Sequence, residues 1–167
     1  MSIKISWRKN LAYYLPLFIC ILSGCAASGP TFNQSKIKAE ANKSRLIIYN
    51  PASSSFRTSH ISVNKTTIGL LRRGGYLIHQ TSSGTHSLGI LGSNGSLKYT
   101  EKITLKENTT TYFKYNYRGQ LIEYISSCGE TENTVIVCRK KSYLPSLDLM
   151  NEKTALEELA KLKLSQD

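Results

Sequence analysis

Thr85-His86-Ser87-Leu88-Gly89-Ile90-Leu91, then Gly92-Ser93-Asn94-Gly95, then Leu97-Lys98-Tyr99-Thr100-Glu101-Lys102-Ile103-Thr104-Leu105 reads as two strands joined by a tight turn. Asn and Gly accept the positive φ that hairpin turns require. Strand alternation places His86, Leu88 and Ile90 on one face of the first strand. It places Leu97, Tyr99, Ile103 and Leu105 on one face of the second.

The same grammar extends in both directions. Upstream, Arg45-Leu46-Ile47-Ile48-Tyr49 is a first strand ended by Asn50-Pro51. His60-Ile61-Ser62-Val63 and Thr67-Ile68-Gly69-Leu70-Leu71 form a pair around the turn Asn64-Lys65, with Ile61, Val63, Ile68 and Leu70 facing inward. Arg72-Arg73-Gly74-Gly75 turns the chain into Tyr76 to Gln80, and Ser82-Ser83-Gly84 turns it back into Thr85. Downstream, Glu107-Asn108 leads into Thr109 to Tyr117, with Phe113, Tyr115 and Tyr117 on one side. Two further strands are expected near Gln120 to Ile125 and Thr134 to Lys140. Short strands at regular spacing with turns between them predict a mainly β fold, a small antiparallel β-sandwich over residues 44–145.

The tail differs. Thr154-Ala155-Leu156-Glu157 matches a capping box, and Leu156, Leu159 and Leu162 recur at helical spacing. One amphipathic helix is expected within residues 146–167, packed on the sheet and supported by a Glu157–Lys161 pair.

At the other end, Lys4, Arg8 and Lys9 precede the uncharged run Leu11 to Leu22. A bilayer-crossing helix needs about 20 apolar residues, and this run stops short of that. A basic leader followed by such a run is the layout of a secretory signal peptide, here residues 1–24. Leu22-Ser23-Gly24-Cys25 resembles the lipobox of bacterial lipoproteins. The resemblance implies cleavage before Cys25, acylation of its thiol and amino end, and membrane attachment through those chains. Ala26 and Ala27 follow where an Asp would favour retention in the inner membrane, so the resemblance implies an outer-membrane address facing the periplasm. An ordinary signal peptide or an uncleaved anchor are the rival readings. Residues 25–43 are polar and read as the lipidated cysteine with a tether lifting the domain off the membrane.

The formal charge is +11, and the leader supplies three of those positives, leaving +8 on the mature chain. Export argues against nucleic acid as the counter-surface and towards anionic lipids or envelope polysaccharides, unless the charge serves solubility alone. Of four cysteines, Cys20 leaves with the leader and Cys25 is the lipidation site. Cys128 and Cys138 remain, an even pair in an oxidising compartment, and read as a disulfide. A two-thiol metal site is the rival, without neighbouring ligands at usable spacing.

The order Arg45 to Tyr49, Ser62-Val63-Asn64, Ile68-Gly69-Leu70, Gly75-Tyr76 and Gly84-Thr85-His86-Ser87-Leu88 resembles a bacterial lipoprotein domain family of unknown function related to PEGA-type β-sandwich modules. That family has Gly after the turn Asn and Pro before the later Gly, where this chain has Lys65 and Ser83. The resemblance covers roughly Ser44 to Tyr117 and implies a compact periplasmic sandwich, with no activity attached.

Chemistry is harder to find. His60, His79 and His86 lack metal-motif spacing and an accompanying Glu, and no Ser sits in a nucleophile elbow. No catalytic residue, metal or cofactor is expected, although a periplasmic hydrolase or metal-dependent enzyme built on the histidines stays open as the alternative. Tyr112, Lys114, Arg118 and Tyr124 suggest a binding surface, because a tyrosine ring beside a cation suits a glycan or a protein partner. The leading expectation is a non-enzymatic, membrane-anchored binding or scaffold module of the envelope, of undetermined oligomeric state.

Overall fold

Leu46, Ile47, Ile48 and Tyr49 are all 1% exposed or less, so both faces of this strand are covered. A run of consecutive apolar residues, rather than an alternating one, is what a strand between two layers requires. The computed structural model describes residues 26–37, 40–51, 58–92, 94–131 and 134–165, with the backbone alone for residues 36, 124–131, 134–137 and 140.

Among the described residues, nine strands form two sheets. They are β1 (Ser44–Asn50), β2 (Ser59–Val63), β3 (Thr66–Leu71), β4 (Gly75–Thr81), β5 (Gly84–Leu91), β6 (Leu97–Leu105), β7 (Thr110–Thr131), β8 (Thr134–Met150) and β9 (Lys163–Leu164). One sheet has the order β8-β7-β1-β4-β9 and the other β3-β2-β5-β6. Helix α1 (Glu152–Leu159) lies outside the first sheet. The fold is therefore a mainly β sandwich with one helix, as the strand spacing predicts, but it has two apolar layers.

The inner layer joins the sheets through Leu46, Ile48, Ile61, Leu88, Ile90, Phe113 and Leu147 among others. The outer layer packs Ile47, Tyr49, Tyr76 and Tyr112 of the first sheet under Ala155, Leu159 and Leu162. Burying a single Leu or Ile side chain contributes about 1.5–3 kcal/mol, so the helix is a structural layer and not an appendage.

Turn chemistry follows the sequence. Asn64 and Lys65 both adopt positive φ (50° and 68°) and join β2 to β3. Gly92 N–H donates to Ser96 O at 2.8 Å, and Gly95, at φ 75°, closes the β5–β6 hairpin by donating to Gly92 O.

Three expectations need correction. Leu70 and Leu97 do not face the core. Ile68 is an extra residue against the Ile61–Ser62 step of β2, so the parity of β3 flips and Leu71, 1% exposed, points inward instead of Leu70. A second irregularity at Ile90–Leu91 turns Leu97 outward, leaving it 58% exposed. The strands expected at 109–117 and 120–125 are one strand, and its partner β8 runs to Met150, through the first part of the region assigned to the helix. The N-cap is Asn151, whose Oδ1 accepts from Thr154 N at 3.0 Å, so Thr154 is inside the helix and Lys161 lies beyond its end.

The stretch expected as a tether is also seated. Ala26 bridges Arg73, Ala27 N donates to Arg73 O, Gly29 N to Leu164 O and Phe32 N to Leu162 O. The Phe32 ring meets Tyr76 edge-on at 5.2 Å. Residues 26–32 thus close the β9 edge of the first sheet.

Candidate functional site

Strand direction decides which features share an end of the sandwich. β1 ends at Asn50 opposite Gly75, the start of β4, and the short turn 72–74 links it to the end of β3. β7 runs parallel to β1, pairing Tyr49 with Lys114, so everything after Lys114 continues past that same end. In the other sheet, the start of β2 and the end of β5 lie there too, since His60 pairs with both Leu70 and Leu91.

Two features result. The first is an arm. Beyond Lys114, the ladder partner of β7 among the described residues is β8 alone, through Thr131 paired with Thr134. From Tyr117 to Thr131 the arm reaches roughly 45 Å at about 3.3 Å per residue. Its root is irregular. Asn116 pairs with Ser146 and Gln120 with Leu144, so three residues, Tyr117 to Gly119, oppose Pro145 alone. Proline lacks the N–H a ladder needs and suits such a break in an edge strand.

The second feature is a cleft of about 850 Å³ between the sheets at the root of the arm. Thr58, Ser59, Lys98, Tyr117, Ser142 and Tyr143 contribute polar groups and rings to its walls. Ser59 Oγ donates to Tyr115 Oη at 3.0 Å across the two sheets, forming the cleft floor. Among the described residues, Lys98 is the cation of the lining, and no carboxylate lines it. The Arg118 guanidinium sits 5.7 Å from the Tyr143 ring centroid, a cation–π contact at the arm root.

The residues expected to form a binding surface divide. Tyr112 is 3% exposed beneath α1, with its hydroxyl 3.4 Å from Glu152 Oε1, and burial, then the Glu152 charge, raises its pKa. Lys114 is half-buried, its Nζ 2.7 Å from Glu158 Oε1. Both face the helix, which the sequence places on the sheet but not over this part of β7. Arg118 is exposed at the arm root, and the Tyr124 side chain lies outside the described residues. Tyr143 and Tyr117, which the sequence reading did not single out as a ligand surface, hold the accessible aromatic area instead. The signal for them was Pro145 interrupting a β-rich stretch just after Tyr143.

Cys138 is held in a disulfide. Cys128, the expected partner, is the residue left over at the Ser127–Gly129 register shift, and its side chain lies outside the described set. Leu22, Ser23, Gly24 and Cys25 also lie outside it.

The histidines do not gather. His86 is buried, donating from Nε2 to Ser82 O at 2.9 Å and accepting at Nδ1 from Asn64 Nδ2 at 3.0 Å. One nitrogen pins the β2–β3 turn through Asn64 and the other the β4–β5 turn through Ser82. His79 lies near it, its pKa lowered by burial and then by the charge of His86. His60 pairs with Leu91, five residues along β5 from His86, or about 17 Å. Among the described residues, no three His, Cys, Asp or Glu side chains form a metal-binding group, and no helix is long and apolar enough to cross a membrane. No family model matches the sequence, and no characterised protein shows significant similarity to it.

Proposed function

We propose that this chain is a bacterial envelope lipoprotein, anchored by acyl chains on Cys25, whose sandwich acts as a non-enzymatic binding or scaffold module in the periplasm. The lipobox-like Leu22-Ser23-Gly24-Cys25 supports the address. The β7–β8 arm carries the functional half. An isolated two-stranded ribbon is marginally stable in water, and it offers unpaired backbone edges and accessible side chains to a partner. Leu121 and Tyr143, about half exposed and directly paired across the arm, are side chains that a protein partner would cover. Strand addition along the arm supplies backbone hydrogen bonds, with such side chains giving specificity. A cell-wall glycan is the second reading, favoured by the Arg118–Tyr143 stack beside the cleft.

Two measurements test the halves separately. Intact mass of protein purified from membranes should match a chain beginning at Cys25 plus acyl groups, and Cys25→Ser should abolish the addition. Mild cross-linking in intact envelopes should then capture a partner with the native chain and lose it with Leu121→Lys. Recovery of the protein alone, or equal capture by the variant, would sink the binding role.

A further inference from the structure

The seating of residues 26–32 bears on how the molecule stands on its membrane. We propose that the end of the sandwich bearing the cleft and arm root faces the bilayer, with the cleft cations against anionic lipid headgroups. This inference rests on acylation of Cys25. It starts from the docked strand: Ala26 is bridged to Arg73 in the turn between β3 and β4, and Ala27, Gly29 and Phe32 are each tied down by backbone hydrogen bonds. Consecutive Cα atoms are about 3.8 Å apart, so an acylated residue 25 has no spacer between its lipid and the fold. A polar tether of free chain would let the domain tumble; a docked one fixes which end lies near the acyl chains.

That end is shared. The Arg72–Gly74 turn, the cleft and the arm root lie at the same end of the two sheets. β8 is three strands from β4 in the first sheet, about 14 Å across. An anchor at one corner therefore brings the opposite corner to the headgroup plane. The chemistry there fits. Lys98 lines the cleft with no carboxylate among the described lining residues, Arg118 stands at its rim, and Thr58 and Ser142 contribute hydroxyls. Phosphate oxygens of lipid headgroups accept from these four, while the Ser59 hydroxyl is already given to Tyr115. Basic groups near an anionic leaflet are drawn to it. The arm continues past this end, so the orientation requires it to turn at the Tyr117–Gly119 break and run beside the headgroups, since its exposed Lys141–Glu123 pair keeps it out of the hydrocarbon.

The sole tryptophan, Trp7, leaves with the leader, so single tryptophans report without background. The acylated full chain is reconstituted into phosphatidylethanolamine–phosphatidylglycerol vesicles whose acyl chains carry bromine. Tyr143→Trp, at the cleft, should lose most of its emission, and Ser83→Trp, in the exposed β4–β5 turn at the far end, should keep it. Lys98→Glu placed in the Tyr143→Trp chain should reduce the quenching on these vesicles and leave it unchanged on phosphatidylcholine vesicles. Acylated, vesicle-bound protein that quenches equally at both positions, or only at Ser83→Trp, overturns the orientation. Quenching indifferent to Lys98→Glu and to lipid charge overturns the headgroup contact, and a soluble anionic sugar that displaces the Tyr143→Trp signal would name the occupant instead. A mass without acyl groups, with protein that does not float with vesicles, takes down the lipoprotein reading and this inference with it.

Discussion

Lys114 Nζ lies 2.7 Å from Glu158 Oε1, and this contact ties the arm-bearing strand β7 to helix α1. The buried Tyr49 hydroxyl lies beside the same carboxylate. Burial works to raise the Glu158 pKa, but the hydrogen bond and charge of Lys114, with the Tyr49 hydroxyl nearby, hold it below 4.5. A carboxylate depressed in the folded state contributes stability above its unfolded pKa, and that contribution is lost as pH falls through the folded value. Both partners are about a third exposed, so solvent screening limits the pair to about 0.5–1 kcal/mol. Glu158→Gln should lower the unfolding free energy, read from urea titrations, by that amount at neutral pH and by nothing once the pH is well below 4.5. A deficit that persists in acid would mean the glutamate acts through packing alone.

His79 opens an earlier acid window. Burial, and then the nearby His86, lowers its pKa from 6.5. The unfolded chain therefore binds a proton more readily than the folded one, so stability falls with pH, starting near 6.5 and ending below the folded value. His79→Gln should flatten the thermal-midpoint profile between neutral pH and the carboxylate range. A parallel profile for the two proteins would remove His79 as the cause.

Lys65 occupies the left-handed region at φ 68°, a conformation that costs a side-chain-bearing residue roughly 1 kcal/mol and glycine nothing. Lys65→Gly should therefore raise stability by several tenths of a kcal/mol, after glycine's extra unfolded-state entropy is set against the relief. Chemical denaturation of the pair decides it, and a loss of stability would mean that the lysine stem packs across the turn.

Much of the sandwich was legible in the residues because its signals are local. Asn64-Lys65 and Gly92 to Gly95 specify turns, and the alternation of Ile61, Val63, Leu88 and Ile90 specifies an inner face. What was not legible is non-local or parity-dependent. One extra residue at Ile68 reverses every side chain after it, and no composition marks that. Tyr112 and Lys114 alternate away from the inner core and so read as solvent-facing, until α1 covers them. The segment 26–32 has one large apolar residue, Phe32, and is otherwise held mainly by backbone hydrogen bonds that leave little side-chain signature. The candidate cleft was missed for a related reason: its walls come from five separate strands, and only the parallel pairing of β1 with β7 brings them to one end.

Gly75 is the position on which that docking depends. A Cβ there would meet the Ser165 Oγ and, at 2.8 Å, the Ala27 Cβ, from the two chain ends that flank β4. Forcing side-chain atoms into a packed site costs about 1–3 kcal/mol, and here the neighbours can escape by lifting off. Gly75→Val should speed amide exchange at Ala27, Gly29 and Phe32 severalfold while Leu46 to Tyr49 stay protected. Uniform loss of protection would show that these residues are integral to the sandwich rather than seated on it.

The Cys138 disulfide lies within the arm, where ladder bonds to one partner strand are the main support. With Cys128 as the partner that the sequence leads one to expect, closing so short a loop constrains the unfolded chain by roughly 2–3 kcal/mol in the entropy model, a large share of what a lone ribbon can hold. The two sheets, by contrast, owe their cohesion to the inner apolar layer, to which the arm beyond Leu144 contributes no member among the described residues. Cys138→Ser should therefore act locally. Limited proteolysis should cut between residues 121 and 143 at least tenfold faster, while the thermal midpoint of the sandwich shifts by a few degrees at most. If the variant instead unfolds as a whole, the arm is part of the cooperative core. If the cleavage rate does not change, the ribbon is stable without its cross-link and the disulfide is not what keeps it ordered.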